Sequence, residues 1–69
     1  MRYSLGAVRM ELREFRRKAK MTQAKLAERS GVSQGYIAHI ESGRRVPSVK
    51  TAKKIADVLG IDWVLLFKE

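Results

Sequence analysis

The stretch from Thr22 to Gly43, TQAKLAERSGVSQGYIAHIESG, decides how this chain folds. Thr22 and Ser33 are good helix N-caps, because a hydroxyl accepts a hydrogen bond from a backbone N–H that the first helical turn leaves unpaired. Gly31 and Gly43 stand where each helix is expected to end, since glycine enters the left-handed conformation at little cost. The stretch therefore predicts two short helices joined by a tight glycine turn, over about residues 22–42.

The two helices have different inner and outer faces. Their inner faces are apolar, with Ala24, Leu26 and Ala27 in the first helix and Ile37 and Ile40 in the second. Val32 is expected to fill the corner between them. The outer face of the second helix is small or polar, whereas a face that only keeps a protein soluble usually carries more Lys and Glu. That outer face consists of Ser33, Gln34, Gly35, Ala38 and His39.

Helical patterns also flank this motif. A first helix is expected from about Leu5 to Lys20, with Ser4 as its cap, because apolar residues recur there in steps of three and four. A fourth helix is expected from about Val49 to Leu59, between the cap Ser48 and the stop Gly60. Its inward residues would be Val49, Ala52, Ile55, Ala56 and Leu59.

A fifth helix is expected from near Asp62 to Phe67, and no strand alternation interrupts the helical patterns. At 69 residues the chain fits one small domain. The predicted fold is therefore all-α, a compact five-helix domain over residues 1–69 in which helices two and three form the helix-turn-helix.

The charge balance indicates which class of binding partner to expect. Lys and Arg number 15 against 7 Asp and Glu, for a formal net charge of +8. An excess this large in a small domain favours a polyanionic partner over a merely solvated surface. The cations form two clusters that border the motif, Arg13, Arg16, Arg17, Lys18 and Lys20 before it and Arg44, Arg45, Lys50, Lys53 and Lys54 after it.

The composition also excludes several classes of site and function. No cysteine is present, so neither a disulfide framework nor a cysteine zinc site is available, and no metal, cofactor or small-molecule substrate is expected. One histidine and scattered carboxylates give no catalytic constellation, so an enzyme is not expected. No apolar run approaches the roughly 20 residues of a membrane span. A signal peptide's apolar segment is absent too, so a cytoplasmic location is expected.

The motif resembles a known family at eight positions, Gln23, Leu26, Ala27, Gly31, Val32, Ile37, Ile40 and Glu41. It is similar to the lambda-repressor-like helix-turn-helix family of phage repressors and Cro proteins, the XRE family. The flanks match as well, so the resemblance covers nearly the whole chain. It implies a sequence-specific, double-stranded DNA-binding transcriptional regulator, typically a dimeric repressor at a near-palindromic operator, with residues 33–42 as the recognition helix in the major groove.

Base contacts are expected near the N-terminus of that helix, because this end enters the groove first. The amide of Gln34 suits the N6 and N7 edge of adenine. Ser33 either contacts a base or only caps the helix, and Gly35 permits close approach. His39 lies a turn further on the same face and would contact a base or a phosphate. Ala38 would meet a thymine methyl or keep the interface clear.

Phosphate contacts are expected around the recognition helix. Gln23 begins a helix whose free N–H groups favour an anion, and the resemblance also implies a backbone contact for it. Arg44 and Arg45 follow the recognition helix, and Tyr36 either contacts DNA with its outer edge or packs over the motif. Arg13 and Arg17 on the first helix are further candidates. The resemblance implies that Arg16 instead forms a structural ion pair with Glu41.

The C-terminal segment IDWVLLF is more apolar than one short helix on a small core requires. Trp63 and Leu66 are expected to face inward, and Val64 and Phe67 elsewhere, either in a thick core cap or in a homodimer interface. An alternative function also stays open, a protein-interaction module such as an antitoxin or coactivator built on the same fold. The operator, the direction of regulation and the biological setting do not follow from the sequence.

Overall fold

Four α-helices and a short C-terminal 3-10 helix make up the part of the chain that the structure describes. A computed structural model describes residues 5–67, with side chains from Leu12 onward. Ser4, expected to cap the first helix, and the side chains of Leu5 and Val8 lie outside the described part. The bounds are α1 Leu5–Lys18, α2 Gln23–Ser30, α3 Gln34–Ser42, α4 Val49–Leu59 and the 3-10 helix Trp63–Phe67.

The all-α class is confirmed, but the prediction of five α-helices is wrong. The segment Trp63–Phe67 is a 3-10 helix of five residues. The N–H of Leu65 donates to the carbonyl of Asp62 at 3.0 Å, and the Asp62 carboxylate accepts from the N–H of Val64 at 3.2 Å. A segment this short favours the tighter 3-10 winding, because few α-type bonds could form within it.

The first helix is followed, two residues after its end, by a lysine in an unusual conformation. Lys20 has a φ of 59°, in the left-handed region that normally favours glycine. Its N–H donates to the carbonyl of Arg17 at 2.9 Å, and the N–H of Met21 donates to that of Arg16 at 3.1 Å. This bond pair is the Schellman closure of a helix, which explains why α1 ends at Lys18.

The turn between α2 and α3 follows the sequence prediction. Thr22 accepts from the N–H of Lys25 at 3.0 Å and thereby caps α2. Gly31 is left-handed, with a φ of 76°, and its N–H donates to the carbonyl of Ala27. Val32 is buried in the corner between the helices, and Ser33 caps α3. Thr22 therefore fixes the start of α2, and Gly31 with the cap Ser33 fixes the start of α3.

Within residues 12–67, each α-helix contributes one large aliphatic side chain that is fully buried in the core. These are Leu12, Leu26, Ile37 and Ile55, and Leu66 of the 3-10 helix closes one end. Burying an aliphatic side chain of this size stabilises a domain by about 1.5–3 kcal/mol. The core thus holds α3 by its inner face and leaves the outer face unused.

Helix α4 has the predicted bounds, the cap Ser48 and the left-handed Gly60. Val49 was predicted to face inward but is 47% exposed, because the first residue of α4 lies beyond the part of that helix that the core covers. Ala24 is likewise exposed on α2. Within residues 5–67, no helix combines the length and hydropathy that a membrane span requires.

Candidate nucleic-acid interface

The outer face of α3 is mostly exposed. Gln34, Gly35 and His39 are exposed, and Ala38 is half-buried. Among the described residues, neither the Gln34 amide nor the His39 ring has a hydrogen-bond partner in the protein. Ser33 is exposed too, although its hydroxyl accepts from the N–H of Tyr36 at 3.1 Å. The five predicted base-contact residues therefore lie on the first turn and a half of one helix.

The loop after α3 places two arginines at the C-terminal end of this helix. The N–H groups of Arg44 and Arg45 donate to the carbonyl of His39 at 2.8 and 3.2 Å, so the loop folds back on the helix end. The Arg45 guanidinium lies 5.4 Å from the centroid of the Tyr36 ring, a cation–π contact. Tyr36 is half-buried and therefore packs over the motif while its outer edge stays accessible.

A buried carboxylate joins α3 to the first two helices. The side chain of Glu41 is 1% exposed and that of Arg16 is 11% exposed. Arg16 Nε donates to Glu41 Oε2 at 2.7 Å and Arg16 Nη2 donates to Oε1 at 3.1 Å. Arg16 Nη1 also donates to the carbonyl of Met21 at 2.9 Å. The structure thus brings together the two residues that the resemblance paired.

Two residues predicted to contact DNA also contact the Glu41 carboxylate. The sequence did not predict these two contacts. Gln23 Nε2 donates to Glu41 Oε1 at 3.1 Å. Arg13 Nε lies 3.6 Å from that oxygen, and its side chain is 48% exposed. No local pattern signals these contacts, because they join residues 18 and 28 positions apart through the tertiary fold. Glu41 therefore orients Gln23 and Arg13 as well as pairing with Arg16.

Glu41 remains ionised despite its burial. Burial alone raises the pKa of this carboxyl, because the charged form loses hydration. The hydrogen bonds from Arg16 and Gln23, with the charges of Arg16 and Arg13, outweigh that effect and hold the pKa of Glu41 below its ordinary value. With two arginines against one carboxylate, the cluster keeps a net positive charge next to α3.

Three further predicted contact residues lie outside the Glu41 cluster. They are Arg17, a candidate for phosphate contact, and Val64 and Phe67, the candidates for a dimer interface. Arg17 is exposed, and no ion pair holds it within the described residues. Val64 is 51% exposed, as expected for an outward residue. Phe67 is half-buried against the core with its ring 5.9 Å from that of Trp63, which fits the core-cap alternative for this residue. Edge-to-face packing with Trp63 turns Phe67 inward.

These features define a helix-turn-helix protein with a free recognition-helix face and flanking cations. The family model described as "Helix-turn-helix" matches residues 12–66. The chain therefore belongs to the helix-turn-helix family of DNA-binding transcriptional regulators, and the resemblance to the lambda-repressor-like family is confirmed.

Individual relatives agree with this assignment. The HTH-type transcriptional regulator YqaF of Bacillus subtilis (strain 168) is 36% identical over 62 residues, covering 90% of this chain and 82% of that protein. The immunity repressor of Bacillus phage phi105 is 39% identical over 54 residues, covering 78% of this chain but only 38% of the repressor. The N-terminal DNA-binding domain of SinR from Bacillus subtilis superposes with a TM-score of 0.84 at 25% identity, covering 93% of this chain and 94% of that domain.

Proposed function

We propose that this protein is a transcriptional repressor that binds a specific double-stranded DNA operator as a homodimer. Helix α3 enters the major groove by its N-terminus, and the flanking arginines contact the phosphate backbone. One observation carries the proposal: among the described residues, Gln34 and His39 on the exposed face of α3 have no hydrogen-bond partner, while Ile37 and Ile40 bury the opposite face in the core.

Base recognition falls to the outer face of α3. Gln34 is placed to donate and accept at the major-groove edge of adenine, and His39 reaches a base or phosphate one turn further along. Ser33, Gly35 and Ala38 keep the helix close to the base pairs.

Phosphate contacts fix the position of α3 without reading sequence. The exposed Arg44, Arg45 and Arg17 supply positive charges, and Tyr36 offers the edge of its ring. Arg13 and Gln23 are held by Glu41, so they meet the backbone from a preset geometry. Preset side chains lose less conformational entropy on binding than free ones do.

Dimerisation is assigned to the C-terminal 3-10 helix. Val64 is an exposed apolar residue there. A dimer on two adjacent half-sites requires its two α3 helices to lie about 34 Å apart, one turn of DNA. Phe67 contributes from its accessible edge. The variant Val64→Lys should convert a dimer to a monomer in sedimentation and weaken binding to a two-half-site duplex, while its far-UV circular dichroism stays that of the folded wild type.

Selection of bound sites from random duplexes tests the base-reading assignment. The proposal expects a near-palindromic site whose preference at one adenine position is lost in Gln34→Ala. The matched control is Glu28→Gln, an exposed change on α2, which should keep the same preference. An unchanged site for Gln34→Ala contradicts the assignment, and the absence of any selected site favours the protein-interaction module instead.

A further inference from the structure

Gly35 lacks a reason to be glycine inside the protein. It is the second residue of α3, and its backbone is helical rather than left-handed, unlike Gly31, Gly43 and Gly60. A Cβ atom added at Gly35 would meet no heavy atom within 4 Å. Neither the backbone nor the packing of the described residues therefore requires a glycine at this position.

Glycine at a helical position has a cost to folding. Relative to alanine it shifts the unfolding equilibrium by about two- to fivefold toward the unfolded chain, because it loses more backbone freedom. A residue that weakens the helix and makes no internal contact indicates that a binding partner approaches the helix at this position. Under the proposed function, on which this inference rests, that partner is the floor of the DNA major groove.

The surroundings of Gly35 indicate which group would approach it. Residues three and four positions further along a helix share its face, so Ala38 and His39 lie beside Gly35. The exposed amide of Gln34 borders it on the other side. By helix geometry, Gly35 and Ala38 therefore lie between the positions of Gln34 and His39, and neither small residue has a side chain that could form a hydrogen bond. The C5-methyl of thymine is the apolar group that base pairs project into the major groove.

We propose that Gly35 is a specificity-determining residue that leaves space for one thymine methyl group in the operator. The methyl packs against the Cα of Gly35 and the Cβ of Ala38, and Gln34 reads the adjacent base pair. Discrimination at the thymine position then comes from shape, and a side chain at position 35 would occupy the same space.

The test uses the full chain and the duplex recovered from site selection, with each thymine replaced in turn by deoxyuridine. At one position, loss of the methyl should weaken wild-type binding by about three- to fivefold, the effect of removing one buried methyl group. The variant Gly35→Ala should bind the thymine duplex about tenfold more weakly, through overpacking. It should regain affinity on the deoxyuridine duplex at that same position, and its free form should unfold at a higher temperature than the wild type.

The control variant Ala24→Gly makes the reverse exchange on the exposed side of α2 and should leave the methyl dependence unchanged. If Gly35→Ala shows the wild-type dependence at every thymine, or if no thymine methyl affects wild-type binding, the inference is overturned while sequence-specific binding stands. If selection recovers no site at all, the proposed function itself fails, and the two failures are therefore distinguishable.

Discussion

Glu41 is the residue at which three helices meet. It lies on α3, and its partners Arg13 and Arg16 come from α1 and Gln23 from α2. A buried ion pair is a weak source of net stability, because both charges lose their hydration, but removal of one partner strands the other. The cluster therefore fixes the orientation of α3 more than it adds to the free energy of folding.

The variant Glu41→Gln should lower the free energy of unfolding by about 3–5 kcal/mol, because it leaves the Arg16 guanidinium buried without a counter-charge. Urea unfolding at neutral pH measures the change. The matched control is Glu28→Gln, which breaks the exposed pair of Lys25 and Glu28 at 3.1 Å. That change should cost about 0.5 kcal/mol or less. Equal effects for the two variants would contradict the structural role of Glu41.

The same residue predicts how stability depends on pH. The pKa of Glu41 is lower in the folded protein than its ordinary value of 4.5, so the unfolded chain takes up the proton first as the pH falls. The contribution of Glu41 to the free energy of unfolding is therefore complete above pH 4.5. It is lost as the pH falls through the pKa that Glu41 has in the folded protein. The difference in unfolding free energy between wild type and Glu41→Gln should be constant near neutrality and shrink below about pH 4.5. A difference that grows on acidification would contradict this sign.

At the scale of elements, helix ends were predicted well where a capping residue marked them. Ser48 and Gly60 bracket α4, and Ser33 and Gly31 set the turn of the motif, so these bounds followed from local chemistry. The end of α1 did not follow, since no glycine marks the left-handed Lys20. The 3-10 winding after Asp62 was also missed, because apolar spacing alone does not separate it from one turn of α-helix.

Substitutions at two left-handed positions should have opposite effects. Gly31→Ala should destabilise the protein by about 1–2 kcal/mol, because a Cβ disfavours its φ of 76° although space is available. Lys20→Gly should stabilise it by up to about 1 kcal/mol, because glycine relieves the strained φ of 59°. Thermal unfolding of both variants checks the signs. Stabilisation by Gly31→Ala would show that the turn is not held left-handed in solution.

The site was predictable as far as single helices define it. The exposed face of α3 follows from the positions of Ile37 and Ile40, which bury the opposite side. The contacts of Gln23 and Arg13 with Glu41 were not predictable, because they depend on how α1 and α2 lie against α3. The inward turn of Phe67 depends likewise on its packing with Trp63, which no periodicity encodes.

At the scale of the whole molecule, the net charge of +8 sets the conditions under which DNA binding should be observed. If the two cation clusters neutralise six to ten phosphates, affinity should fall by about 10³–10⁵-fold between 50 and 200 mM salt, because counterions are released on binding. Gel shifts across a salt series measure the slope. Arg44→Ala should reduce the slope by about one counterion without altering the selected sequence. A salt-independent affinity would contradict a phosphate-based interface.

The placement of the one tryptophan has a practical consequence. Trp63 lies in an open groove between α4 and the 3-10 helix, with Lys53 Nζ 5.3 Å from its ring centroid. Its indole emission therefore reports on the chain's C-terminal end rather than on the outer surface of α3. Fluorescence titrations without added label should follow the proposed subunit association there, while a dye on the duplex records occupancy of the nucleic acid. The two equilibria then become separable in one cuvette.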